Sequence, residues 1–133
     1  MIAGIGNDIT DIRRIEKSIQ RFGESFITRC FTEEERERAG RCATLKAQAA
    51  IYAKRFAAKE ACAKALGVGF TQGVRMRDIG VGTDENGRPF LVLAGGALKR
   101  LEAITPQERT AILHVSLSDE GPYAQAFVVI ETI

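Results

Sequence analysis

Two carboxylates and a lysine are the residues whose types and positions are best suited to chemistry. Glu60 lies within RFAAKEACAKALG at positions 55–67, and Asp8 follows GIGN near the start of the chain. At 100° per residue, Glu60 shares a narrow helical stripe with three alanines and a phenylalanine, and Lys64 follows one turn later. A carboxylate largely removed from water needs a partner. The stripe therefore indicates either an ion pair or a ligand site at Glu60.

Spacing alone leaves two interpretations of these residues open. Glu60 and Lys64 have the favourable i, i+4 orientation of a helix-surface ion pair. Asp8, at the predicted junction of the first strand and the first helix, could be an N-cap that accepts from backbone N–H groups. Alternatively, Asp8 and Glu60 could hold Mg²⁺, which is usually bound by one or two carboxylates together with substrate phosphates and water. Lys64 would then contact the same phosphates.

Other common kinds of site are not indicated. The chain has no GxxxxGK[ST] loop, GxGxxG fingerprint or GxSxG elbow. The three cysteines form no CxxC pair, and with a single histidine a thiolate or imidazole zinc site is not expected. His114 with Ser116 or Ser118, two or four residues away on one strand face, does not by itself place an activated nucleophile.

Size and composition predict one soluble domain spanning residues 1–133. The hydrophobic fraction of 45% and the charged fraction of 27% are typical of a globular protein. The net charge of +2 is too small to indicate a nucleic-acid partner. Free thiols suit a reducing compartment, and neither a signal peptide nor a membrane-spanning apolar run is seen. We therefore expect a cytoplasmic protein without a membrane partner.

The first half of the chain has helical periodicity after a short strand predicted at MIAGIG. Apolar residues at 9, 12, 15, 19 and 22 predict an amphipathic helix that ends at Gly23. Thr32 and Glu35 have the capping-box pattern and predict a short helix. The long helix that contains Glu60 then runs to about Leu66. The polar side of the first helix carries Arg14, Lys17 and Arg21, which form either a solvated face or a docking surface for an acidic partner.

The second half predicts strands. Segments 79–83 and 90–93 flank Asp84–Gly87, whose Asn-Gly is a strong hairpin signal. A short helix is predicted at 97–104, and AILHVSLS alternates as a strand does. The turn at 119–122 leads to a last strand, in which Phe127–Ile130 is apolar on both faces. Such a strand is buried on two sides or packs against another subunit. The predicted class is α+β with an antiparallel sheet.

Five segments of the chain, in order, resemble the holo-acyl-carrier-protein synthases, the small bacterial class of 4′-phosphopantetheinyl transferases. They are GIGNDITDIRRI at the N-terminus, CFTEEE at 30–35, RFAAKEACAKALG at 55–67, NGRPFLVLAG at 86–95 and HVSLSDE at 114–120. The resemblance covers essentially the whole chain, and the paired GxD and FxxKExxxK elements are its most specific part. It implies that family's α+β fold, with an antiparallel sheet packed against a long central helix and shorter helices.

The resemblance also implies a reaction and its residues. The family transfers the 4′-phosphopantetheine group from coenzyme A to a serine of apo acyl-carrier protein in support of fatty acid biosynthesis, with Mg²⁺ as cofactor and adenosine 3′,5′-bisphosphate as the released product. Asp8 and Glu60 match its magnesium ligands, and Lys64 matches a contact to the transferred phosphate. Arg55 and His114 match contacts to the nucleotide end, including the 3′-phosphate. Glu60, directly or through a metal-bound water, is the candidate base.

Partners follow from the same resemblance. The helix that carries Arg14, Lys17 and Arg21 resembles the surface that receives the acidic recognition helix of the carrier protein. The family is typically homotrimeric, with active sites at subunit interfaces. Asn7 and Asp119 depart from the commonest family pattern, and the role of Lys59 within FxxKExxxK is undefined. Two other classes are weighed against this reading: a magnesium-dependent hydrolase of nucleotide pyrophosphates and a non-catalytic binding subunit.

Overall fold

A computed structural model describes residues 1–133 as five strands, five α-helices and a 3₁₀ turn. The strands are β1 (Ile2–Asp11), β2 (Ile79–Thr83), β3 (Pro89–Leu93), β4 (Ala111–Glu120) and β5 (Tyr123–Thr132). The helices are α1 (Ile12–Phe22), α2 (Glu24–Cys30), α3 (Glu33–Gly40), α4 (Leu45–Ala65) and α5 (Gly95–Ile104), and the 3₁₀ turn is Met76–Asp78. An antiparallel sheet of order β1-β5-β4 packs on α4, and β2 and β3 form a separate hairpin. The predicted α+β class is confirmed.

The helix starts follow the local sequence. The Thr32 side chain accepts from the backbone N–H of Glu35, and the Glu35 carboxylate accepts from the backbone N–H of Thr32, so the predicted capping box is formed. Thr44 caps α4 in the same manner by accepting from the backbone N–H of Ala47. Its alanine-rich sequence then sustains 21 residues of helix. None of the helices is long and apolar enough to cross a membrane.

The boundary between β1 and α1 differs from the sequence prediction. The strand continues to Asp11, which caps α1 by accepting from the backbone N–H of Arg13. Asp8 therefore lies inside the strand, and the N-cap interpretation of this residue is wrong. Ile9 points out of the sheet and is 64% exposed, so it is not part of the helical core face. The spacing of three residues between Ile9 and Ile12 matches the period of a helix by coincidence, because Ile9 lies in β1 and Ile12 begins α1.

Smaller differences lie at other element ends. Helix α1 ends at Gly23 as predicted, and this glycine has φ of 55°. It leads directly into α2, which was not predicted. The hairpin is confirmed, since Ile79 pairs with Leu93 and Asp84–Gly87 forms its turn. The predicted start of helix α5 at 97 is wrong, because the helix begins at Gly95. Pairing of β4 with β5 continues to Glu120, which shortens the predicted turn.

Both faces of the three-stranded sheet carry large or buried apolar side chains, but the faces differ in exposure. Four side chains of β5 that point toward α4 are fully buried: Ala124, Ala126, Val128 and Ile130. On the opposite face, large apolar side chains of β1 and β5 remain exposed: Ile5, Ile9, Tyr123 and Phe127. The predicted two-sided apolar character of the last strand is thus present, with one side covered by α4 and the other open.

Glycines allow β1 to lie directly on the backbone of α4. A Cβ on Gly4 would overlap the carbonyl oxygen of Ala65, and a Cβ on Gly6 would overlap that of Ala61. Both overlaps involve backbone atoms in a helix and a paired strand, so neither partner can move aside easily. The close approach requires glycine at both positions.

We predict that Gly6→Ala lowers the free energy of unfolding by about 1–3 kcal/mol or more, because overpacking against a fixed backbone costs this much. The measurement is urea unfolding followed by circular dichroism. Gly40→Ala is the matched control, since a Cβ at Gly40 meets nothing within 4 Å and alanine favours a helix. Equal stability of the two variants would contradict the close packing of β1 on α4.

Candidate functional site

Asp8 lies on the face of β1 that packs on α4, one side-chain repeat beyond Gly6. The Lys64 ammonium donates to Oδ1 of Asp8 at 3.0 Å and to the backbone oxygen of Asn7 at 3.0 Å. The Thr10 hydroxyl donates to Oδ2 of Asp8 at 3.1 Å. These two contacts orient the carboxylate toward the helix. Lys64 therefore pairs with Asp8. It forms no direct ion pair with Glu60, so the i, i+4 ion pair that the spacing suggested is not present.

Glu60 lies one helical turn before Lys64 and is half-buried. Burial raises the pKa of the Glu60 carboxyl above its ordinary value, and the negative charge of Asp8 raises this pKa further. The positive charges of Lys64 and Arg14 oppose the shift without cancelling it. Asp8 and Glu60 are thus close enough for one charge to affect the other. The fold brings together the three residues singled out for chemistry, from positions far apart in the sequence.

This acidic pair can accept a divalent cation only if a substrate supplies further ligands. No group of three or more histidine, cysteine, aspartate or glutamate side chains is positioned to hold a metal ion. Asp8 and Glu60 provide two carboxylates with hard oxygen ligands. The ammonium of Lys64 already places one positive charge at the Asp8 carboxylate. Two carboxylates completed by phosphate oxygens and water are the usual environment of Mg²⁺. The donor set fits this ion.

Arg55 lies on a different side of α4. Five residues before Glu60, it points about 140° away around the helix axis. The side chain is buried to 5% exposure, its Nε has no hydrogen-bond partner, and its nearest polar contact is the Thr83 hydroxyl at 3.5 Å. Burial lowers the pKa of Arg55, and the positive charge of Arg38 lowers it further. A buried guanidinium without a carboxylate partner favours an anionic ligand.

His114 lies on the open face of the three-stranded sheet. It pairs with Val129 of β5, and its Nε2 is 2.8 Å from Oε2 of Glu131. Asp8 faces α4 on the opposite side of this sheet. Within one chain, the structure therefore does not bring Arg55 and His114 to Asp8 and Glu60. The predicted residues therefore divide into an acidic part with Lys64 and two residues outside it, Arg55 beside β2 and His114 on the open sheet face.

The three cations of α1 are exposed and border the acidic part. Arg14, Lys17 and Arg21 form no ion pair within the chain, whereas the neighbouring Arg13 is held by Asp11 at 2.8 Å. The charge of Arg14 acts on the pKa of Glu60, so this helix lies beside the candidate site. The surface is free to receive negative charge from outside the chain.

Lys59 and Glu35 form an interaction that sequence reasoning missed. The Lys59 ammonium is fully buried and lies 2.8 Å from Oε1 of Glu35. It also donates to the backbone oxygens of Met76 at 3.1 Å and Ile79 at 2.6 Å, and Oε2 of Glu35 accepts from the backbone N–H of Val81 at 2.7 Å. Burial lowers the pKa of Lys59, and Glu35 opposes this shift. The role that the motif left undefined is thus structural: Lys59 fixes α4 against α3 and β2.

The available signal for this pair was weak. Glu35 was already explained by the capping box, which uses only Oε1. The second oxygen binds a strand 46 positions later, and local spacing carries no information about such a contact. A lysine in a helix without a clearly wet face was the one hint that a buried counter-ion was needed.

Comparison with known proteins identifies the family of this chain. The model of the 4′-phosphopantetheinyl transferase superfamily matches residues 4–128. The chain belongs to this superfamily. It is 59% identical to a holo-[acyl-carrier-protein] synthase of Beijerinckia indica, over 100% of this chain and 93% of the relative. The matched range contains all five predicted site residues, which are Asp8, Arg55, Glu60, Lys64 and His114.

Solved structures of relatives share the fold. A holo-[acyl-carrier-protein] synthase from Neisseria meningitidis superposes with a TM-score of 0.82 at 39% identity, covering 98% of this chain and 99% of that one. The enzyme from Helicobacter pylori, solved in complex with coenzyme A, superposes with a TM-score of 0.79 at 29% identity, covering 96% and 99%. The transferase fold of this chain is therefore established over nearly its full length.

We predict that Glu60→Gln stabilises the ligand-free transferase at pH 7.5. Because the pKa of Glu60 is raised on folding, its contribution to stability is present below the ordinary pKa and is lost as the pH rises through the folded value. Glutamine carries no charge at pH 7.5 or at pH 5, so the variant avoids this loss of stability. Thermal unfolding should give a higher Tm for the variant at pH 7.5, with a difference that shrinks toward pH 5. A difference independent of pH, or one that exposed Glu102→Gln reproduces, would contradict the assignment.

Proposed function

We propose that this chain is a holo-acyl-carrier-protein synthase. In this proposal residues 1–133 act as one domain that transfers 4′-phosphopantetheine from coenzyme A to a serine of apo acyl-carrier protein and so supports fatty acid biosynthesis. The observation that carries it is the convergence of Asp8, Glu60 and Lys64 at the contact of β1 with α4. The relatives named above support the reaction, and the complex of one neighbour with coenzyme A supports the substrate.

The proposed mechanism uses charge neutralisation and proton removal. The serine oxygen attacks the β-phosphorus of coenzyme A, and the bond from that phosphorus to the bridging oxygen breaks, which releases adenosine 3′,5′-bisphosphate. Mg²⁺ held by Asp8 and Glu60 would supply neutralisation of the diphosphate charge. Lys64 would donate to a phosphate oxygen as charge builds up on it.

Glu60 is the proposed acceptor of the serine proton. Its raised pKa strengthens it as a base, because a more basic carboxylate takes up the proton more readily. The same residue would then have two roles, one toward the cation and one toward the proton. Its position between Asp8 and the α1 helix suits both, since the carrier protein would approach over α1.

The reaction is tested by intact mass. The protein is mixed with apo acyl-carrier protein, coenzyme A and Mg²⁺, and the proposal requires the addition of one phosphopantetheine to the carrier. Cleavage of coenzyme A without carrier protein would indicate a hydrolase instead, and binding without any product would indicate a non-catalytic subunit. Glu60→Gln is expected to lower kcat by about 10²–10⁴-fold, as removal of a general base does. Near-normal turnover of this variant at saturating Mg²⁺ would exclude Glu60 from both roles.

We further propose that the active site is completed between neighbouring subunits of a homotrimer. Arg55 and His114 of one subunit would contact the nucleotide end of a coenzyme A whose diphosphate lies at Asp8 and Glu60 of the next. Two observations support this arrangement. Arg55 has no anionic partner in its own chain, and the sheet face that carries His114 also exposes Ile5 and Phe127. Exposed apolar patches of this kind are typical of subunit interfaces.

Mixed oligomers test the shared site. Glu60→Gln and Arg55→Met, each impaired alone, should recover about a quarter of the wild-type rate when their subunits are mixed, because about one neighbouring pair in four combines two intact parts. Mixing Glu60→Gln with Asp8→Asn is the control, since both changes lie in the same part and no intact site can form. Light scattering should give the mass of a trimer. Recovery in the control, or a monomer at micromolar concentration, would contradict the proposal.

The carrier protein is proposed to dock on the α1 surface of Arg14, Lys17 and Arg21. Arg14→Glu should raise the KM for carrier protein about tenfold or more, because reversing a charge at an association surface slows encounter. The KM for coenzyme A should stay nearly unchanged. Lys46→Glu is the control, as it reverses an exposed charge at the far end of α4. Equal effects on both substrates, or none, would show that α1 is not the docking helix.

The proposed place of action is the cytoplasm. The three cysteines are free thiols, and Cys30 and Cys62 are buried in the core. Burial raises the pKa of the Cys62 thiol to about 12, so this thiol stays protonated. Unpaired, protonated thiols suit a reducing compartment.

A further inference from the structure

Glu131 binds one ring nitrogen of His114. The two side chains lie on the open face of the sheet, on the neighbouring strands β4 and β5. They are diagonal neighbours, because His114 pairs with Val129, and Glu131 lies two residues further along β5, where it pairs with Ile112. Oε2 of Glu131 is 2.8 Å from Nε2 of His114, and both side chains are partly exposed. Nδ1 of His114 has no hydrogen-bond partner within the chain and is free to contact a ligand.

The chemistry of the two groups limits what Nδ1 can bind. An ionised carboxylate only accepts hydrogen bonds, so the contact with Glu131 requires a proton on Nε2. A phosphate oxygen at neutral pH also accepts. For His114 to hold a phosphate through Nδ1, the ring must therefore carry protons on both nitrogens. Glu131 fixes one of these protons on Nε2 and leaves Nδ1 available to the ligand.

We infer that Glu131 is a positioning residue that makes His114 selective for the 3′-phosphate of the nucleotide. This inference rests on the proposed function. The carboxylate fixes the orientation of the ring by accepting from Nε2, so that Nδ1 can donate to the phosphate monoester when the ring is doubly protonated in the complex. Coenzyme A would then be preferred over its 3′-dephosphorylated form through a residue that touches neither substrate. A carboxylate that only stabilises the pairing of β4 with β5 would give no such preference.

Kinetics with two substrates test this role. Glu131→Gln keeps the shape and an accepting oxygen but removes the charge. With apo carrier protein, the KM for coenzyme A should rise about tenfold, because a charge-assisted hydrogen bond is weakened. The KM for 3′-dephospho-coenzyme A and both kcat values should stay within about twofold, since no charged contact in those steps is lost. Glu102→Gln, an exposed carboxylate of α5 without an ion pair, is the matched control and should change neither KM.

A double variant separates this role from an effect on the fold. In a His114→Ala background, Glu131→Gln should add nothing to the KM for coenzyme A, because its effect passes through the missing ring. An equal rise in KM for both substrates, no rise at all, or a further rise in the His114→Ala background would overturn the inference.

The ring can also be observed without turnover, because His114 is the only histidine in the chain. In ¹⁵N-correlated spectra with adenosine 3′,5′-bisphosphate bound, both ring nitrogens should be protonated in the wild type and only one in Glu131→Gln. Adenosine 5′-monophosphate, which lacks the 3′-phosphate, should not produce the doubly protonated ring. A wild-type ring with one proton in the bisphosphate complex overturns the inference. Because these spectra need no transfer reaction, failure of the inference is distinguishable from failure of the proposed enzyme activity in the mass assay.

Discussion

The direct contact between the backbone of β1 and the backbone of α4 is the constraint on which the candidate site depends. Gly4 and Gly6 remove the side chains that would hold the two elements apart. The next residue on the same face of the strand, Asp8, is thereby placed within 3.0 Å of Lys64. A strand separated from the helix by an ordinary side-chain layer would leave Asp8 too far from Glu60 for their charges to interact. Gly4 and the glycine of the GxD element, Gly6, therefore set the distance between the strand and the helix.

The contact also requires α4 to present the correct side, and the pair Lys59–Glu35 fulfils this requirement. Lys59 and Glu60 are neighbours in sequence and point to different sides of the helix. When Lys59 is held by Glu35 and by two backbone oxygens, α4 cannot rotate without breaking a fully satisfied buried network. Such a pair adds little net stability compared with an apolar replacement, but it defines one arrangement, because any other leaves a charge buried without a partner. The motif FxxKExxxK thus combines one structural cation with two residues of the site.

Much of this fold follows from local sequence, whereas the assembly of the site does not. The capping box at Thr32, the alanine-rich helix and the Asn-Gly hairpin are local signals, and the structure confirms each of them. The end of β1 was misplaced because Ile9 extends a helical period by coincidence. Only the pairing of β1 with β5, which lies more than 110 residues away, decides in favour of a strand there. The contact of Asp8 with Lys64 spans 56 positions, so the residues themselves left a common site as one of two interpretations, and the family resemblance favoured it.

The charges of the candidate residues are not balanced within one chain. Arg55 is a buried cation without a carboxylate partner, and Asp8 and Glu60 are two carboxylates near one lysine, Lys64, which pairs with Asp8. Each part is electrostatically unfavourable alone, as the lowered pKa of Arg55 and the raised pKa of Glu60 show. In the function that we propose, these charges would be balanced by a ligand with a phosphate monoester at one end and a metal-bound diphosphate at the other. In the assembly that we propose, binding of this ligand relieves both charge excesses together, so substrate binding and subunit contact stabilise each other.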